Sequence, residues 1–93
     1  MRAFQPSREY RPMTPQQVAD LIRNALPGAD VVVRSGDNVH FESRVVSTAF
    51  AGRRPLQRHQ LVYAALGERM GGEIHALALT TLTPEELAAQ EHG

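Results

Sequence analysis

The sequence contains no cysteine, no lysine and no tryptophan. Without cysteine no disulfide staples the fold, and the chain has no thiolate of its own to hold a metal or act as a nucleophile. That lack is compatible with the cytoplasm, the expected location. Aromatic residues are few, two tyrosines and three phenylalanines, so platforms for stacking bases are scarce. Neither sign of charge prevails. Ten basic residues cancel ten acidic ones, and a whole-molecule attraction to nucleic acid is not indicated. No apolar run approaches the roughly 20 residues of a membrane span, and no membrane association is expected. The opening "MRAFQPSREYRPM" has no apolar h-region and does not read as a secretory signal. What is present is 93 residues, enough for one small domain. A chain of this size buries about 60–65% of the surface its unfolded form exposes, which limits the core. All ten basic residues are arginine, so every positive site offers a planar fork to phosphate or carboxylate.

Residues 1–12 lack any period and read as a flexible tail. "TPQQVADLIRNALPG" then predicts a helix. Thr14 caps it, Pro15 takes the first position and Gln17 completes a capping box. Val18, Leu21, Ile22, Ala25 and Leu26 form one apolar stripe. "ADVVVRSGDNVHFESRVVS" predicts a hairpin, with strands Val31–Arg34 and Val39–Ser47 around the turn Ser35-Gly36-Asp37-Asn38. A loop follows, then a helical turn opened by Pro55 and a longer helix from about Gln57 to Met70. Its buried face is expected from Val62, Leu66 and Met70, and its stop at Gly71-Gly72. "EIHALALTTL" predicts the third strand, and "TPEE" a second capping box opening a short helix that ends near Gln90. The order is helix, strand, strand, helix pair, strand, helix. Strands two and three are joined by a helical crossover, so as neighbours they must run parallel. The expected fold is α+β, a mixed three-stranded sheet with helices packed on it.

This topology starts strands two and three at the same end of the sheet. His40 and His75 therefore approach one edge of the domain. Each reads either as a hydrogen-bonded structural residue or as a metal ligand, and imidazole suits iron, copper or zinc. Two imidazoles do not complete a four-coordinate site, so such a site must borrow ligands from a partner. His59 lies beside the apolar stripe of the long helix and reads as a packing residue, and His92 as solvated. "GRRPLQRHQ" places Arg53, Arg54 and Arg58 around a helix start. Exposed cations there oppose the helix dipole at about 0.3–1 kcal/mol each. An anion resolves the conflict, so these arginines are candidates for a nucleic-acid backbone or an acidic partner. No nucleophile–base pair or paired carboxylates stand out, and no enzymatic activity is expected.

The stretch "FAGRRPLQRHQLVYAALGERMGGEIHALALTTLTPEE", residues 50–86, resembles the core signature of the BolA family. That signature is a Phe-x-Gly loop, an Arg-His pair opening a helix with a following Val-Tyr, then Ile-His-Ala-Leu and Thr-Pro-x-Glu. Upstream, "SGDNVHFE" resembles the hairpin of the BolA-like subgroup that carries histidine where others have cysteine. The resemblance covers about residues 13–88 and implies a BolA-like domain over 13–90. It implies a type II KH-like fold and a partnership with a monothiol glutaredoxin, within which a 2Fe-2S cluster is shared. The glutaredoxin and its bound glutathione would supply thiolates and this chain histidine. Carried over, His75 in Ile74-His75-Ala76 is the principal ligand candidate, and His40, on the more adaptable hairpin, the second. The family role implied is iron–sulfur cluster assembly, trafficking or iron sensing. Alone, such a chain is expected as a monomer or weak homodimer. The family is also described as transcriptional regulators with a helix-turn-helix-like surface, carried here by Arg53, Arg54 and Arg58. In that loop Arg53 stands where lysine is frequent, and Gln60 where many members have a second arginine. The Gly-x-x-Gly loop of RNA-binding KH domains is not evident between the paired helices, which speaks against RNA.

Overall fold

In the computed structural model, residues 12–92 are described. The tail expected over 1–12 lies almost wholly outside them. The first helix, α1 (Pro15–Ala25), begins as its sequence predicts. Thr14 Oγ1 accepts the Gln17 N–H, and Gln17 Oε1 accepts the Thr14 N–H. Val18, Ala19, Ile22 and Leu26 are buried, whereas Ala25 of the expected stripe is exposed. Val18, Ile22 and Leu26 thus keep their expected places in the core, and Ala19 rather than Ala25 joins them.

Strands β1 (Asp30–Arg34) and β2 (His40–Val46) pair antiparallel, and β3 (Ala76–Leu82) pairs parallel with β2. The order β1-β2-β3 is the mixed sheet that the crossover requires. Residues alternate between faces, as a sheet covered on one side should, except at the end of β2, where Val45 and Val46 are both buried. Val31, Phe41 and Val45 are buried against α1 and the second long helix. Val32, Arg34, His40, Glu42, Arg44, Ala78 and Thr80 occupy the other face and are exposed. Ser43 sits on the core side of the central strand, and its buried hydroxyl has no hydrogen-bond partner among the described residues.

The crossover departs from expectation in two places. A 3-10 turn at Thr48–Phe50 supplies the first helical piece, capped by Ser47. Pro55 does not open a separate turn but is the first residue of one continuous helix, α2 (Pro55–Leu66). That helix stops at Gly67, not at Gly71-Gly72. Gly67 adopts φ 57, ψ −131, a backbone region open to glycine and strained for other residues. Val62 and Leu66 are fully buried, and Met70, beyond the stop, is half-buried. The third strand also starts later than expected, leaving Glu73, Ile74 and His75 outside it. A turn at Gly71–Glu73 occupies this stretch, and the Gly71 N–H bonds the Ile74 carbonyl. The last helix, α3 (Pro84–His92), runs two residues past the expected end and buries no side chain fully.

Candidate functional site

The parallel register of β2 and β3 pairs His40 with Ala76, so His75 stands one residue before the ladder, opposite Val39. Its N–H donates to the Val39 carbonyl at 3.1 Å. Two histidines far apart in sequence thus share the N-terminal end of two adjacent strands. Both are exposed. No side-chain hydrogen bond holds the His75 ring among the described residues.

His40 is held differently. Its Nδ1 lies 2.8 Å from Asp37 Oδ2. Asp37 Oδ1 accepts the N–H groups of Val39 and His40, at 3.0 and 2.9 Å. Ser35 Oγ accepts the Asn38 N–H and donates to the His40 carbonyl at 2.6 Å. Asn38 completes the turn with φ 58, a left-handed conformation that asparagine tolerates well. These contacts, the His40 N–H first among them, hold the Asp37 carboxyl far below the usual carboxylate range. Sequence reasoning read Asp37 only as a turn residue. The signal available was its spacing, a carboxylate three residues before a histidine across a tight turn.

The arginines lie at the opposite end of the sheet, after the C-termini of β2 and β3. They are not equivalent. Arg58 is nearly buried, with 11% of its side chain exposed. It grips Glu86 with both terminal nitrogens, at 2.6 and 3.1 Å, and its Nε donates to the Arg53 carbonyl. The guanidinium also lies 5.9 Å over the Phe50 ring. Hydrogen bonding to Arg58 pulls the Glu86 carboxyl down to about 2, and the same bond raises Arg58. Glu86 meanwhile exchanges capping-box bonds with Thr83. Arg58 therefore fastens α2 to α3, with its donors engaged inside the fold. Arg53 and Arg54 are exposed, and no carboxylate pairs with either among the described residues. Arg53 Nε donates to the Ala49 carbonyl. His59 packs edge-on against Tyr63 at 6.4 Å.

The donor set at the histidine end fits half of a shared cluster site. Two exposed imidazoles without a thiolate leave ligands to be supplied from outside. Among the described residues no group of three His, Asp or Glu side chains converges to hold a metal alone, and no helix is long and apolar enough to cross a membrane.

The sequence model of the BolA-like protein family matches residues 20–86. BolA-like protein 1 of Homo sapiens is 52% identical over 54 residues, 58% of this chain and 39% of that protein. The DNA-binding transcriptional regulator BolA of Haemophilus influenzae is 47% identical over 55 residues, 59% of this chain and 53% of that protein. The chain thus spans about two fifths to half the length of these curated relatives. Among solved structures, a bolA protein homologue from Coxiella burnetii superposes with a TM-score of 0.68 at 41% identity, over 82% of this chain and 97% of that one.

Proposed function

The chain belongs to the BolA-like protein family, and on that premise we propose that it is a non-enzymatic partner of a monothiol glutaredoxin, sharing a 2Fe-2S cluster. Its role on this reading is cluster assembly, trafficking or iron sensing. The observation that carries the proposal is the parallel β2–β3 register, which sets two exposed imidazoles at one sheet end in a chain without cysteine. His75 and His40 would supply this chain's ligands to the cluster, and the glutaredoxin and its glutathione would supply the thiolates. A cluster with histidine ligands operates at a higher potential than one held by cysteine alone. The contribution of this chain is to present imidazoles at one end of the sheet, without a thiolate that would retain the cluster.

The test is co-expression with the monothiol glutaredoxin of the same organism, anaerobic purification, and visible absorption and circular dichroism. A coloured 1:1 complex whose spectrum changes in His75→Ala is expected. A colourless pair, or a spectrum indifferent to His75, overturns the reading.

A second reading has its own support. The Haemophilus influenzae relative is named a DNA-binding regulator, and Arg53 and Arg54 at the start of α2 have no carboxylate partner among the described residues. On this reading they contact the phosphate backbone, with Arg58 setting the loop from behind.

A further inference from the structure

We propose that Asp37 is the positioning residue of His40, fixing its ring with the proton on Nδ1 and turning Nε2 outward as the one nitrogen left to bind a metal. A carboxylate accepts hydrogen bonds and cannot donate them, so the 2.8 Å contact to Nδ1 requires the proton on that nitrogen. The carboxylate is itself fixed. Its Oδ1 is occupied by the Val39 and His40 N–H groups, which leaves Oδ2 aimed at the ring. The loop carrying both is tied again through Ser35, so neither partner swings away without losing several bonds. Metal-bound histidines commonly donate their second nitrogen to a carboxylate, which sets the tautomer and the ring plane. The hairpin has this arrangement before any metal arrives. The metal-binding half of the inference rests on the cluster reading above. The tautomer half does not.

The test uses the 15N-labelled chain alone, without metal or partner. Long-range proton–nitrogen correlations of the imidazoles are recorded at mildly alkaline pH, where an ordinary imidazole is neutral. His40 is expected to show a protonated Nδ1 and a bare Nε2, the reverse of the form that free histidine favours. In Asp37→Asn, the side-chain oxygen still accepts the two backbone N–H groups, but an amide N–H now faces Nδ1. The His40 pattern should reverse, while His59, His75 and His92 keep theirs and so report an intact fold. A bare Nδ1 or an averaged tautomer in the unaltered chain overturns the proposal. So does a pattern that Asp37→Asn leaves unchanged. A colourless glutaredoxin mixture would overturn the cluster reading and leave the tautomer result standing, so the two fail separately.

Discussion

His75 and His40 differ in how much freedom each must surrender to bind. Ordering a free side chain costs conformational entropy. The His40 ring is already hydrogen-bonded to Asp37, whereas the described structure gives the His75 ring no such partner. The resemblance ranks His75 first and treats the hairpin as adaptable. A loop tied through Ser35 and Asp37 is not adaptable in that sense. We therefore expect His40→Ala and His75→Ala each to shorten the lifetime of a glutaredoxin-shared cluster on the order of tenfold or more, the scale seen when metal sites lose supporting contacts. Decay of the visible absorption after dilution in air measures this, and an unchanged decay in either variant removes that residue from the ligand set. Ser43 illustrates the opposite case, a polar atom that contributes nothing visible. Its hydroxyl is buried on the core side of β2 without a partner among the described residues, and an unsatisfied buried group costs about 1–3 kcal/mol. Ser43→Ala removes that cost and leaves only a small void. It should raise stability by up to about 1 kcal/mol in urea melts, and a clear loss would mean the hydroxyl has a partner in solution.

At the level of elements, the ends matter more than the middles. Gly67 stops α2 in a conformation that few side chains adopt. A Cβ there would meet nothing within 4 Å, so Gly67→Ala tests backbone strain without a clash. A loss of about 1–3 kcal/mol is expected, read as a lower Tm. The start of α3 is secured by charge. Glu86 has its folded-state value depressed to about 2 from an ordinary 4.5. A depressed carboxyl contributes stability above its unfolded value, and that contribution fades as pH falls toward the folded one. Glu86→Gln should therefore flatten the decline in stability between about pH 4.5 and 2, as followed by acid unfolding. The capping boxes at Thr14 and Thr83 were legible because their partners lie three residues away. The parallel pairing was legible because a helical crossover between neighbouring strands returns the chain to the end where the first strand began. The stop at Gly67 was not, because three glycines compete within six residues and the choice depends on where Leu66 seats in the core. The tie from Arg58 to Glu86 was hidden for a related reason. It joins residues 28 apart, and no local pattern marks an arginine that turns inward.

Across the whole molecule, the two candidate surfaces lie at opposite ends of the same strands. The histidines stand where β2 and β3 begin, and Arg53 and Arg54 lie beyond where they end. Seven strand residues at about 3.3 Å each separate these ends by about 20 Å. A glutaredoxin seated on the histidines need not cover the arginines, so the two proposed functions can coexist on one chain. Exposed phosphate contacts reveal themselves through salt. If Arg53 and Arg54 touch a DNA backbone, Arg53→Ala and Arg54→Ala should each lower the slope of log K against log salt by about 1. Arg58→Ala should instead lower Tm, because it strands Glu86 and opens the joint between α2 and α3. Thermal melts check the Arg58 variant, and titrations by fluorescence anisotropy on duplex DNA, with the chain alone and with the glutaredoxin complex, check the salt slopes. Equal salt slopes in the two titrations mean that the ends act independently. A slope that collapses in the complex means that the partner reaches across the domain, and cluster loading would then govern access to DNA.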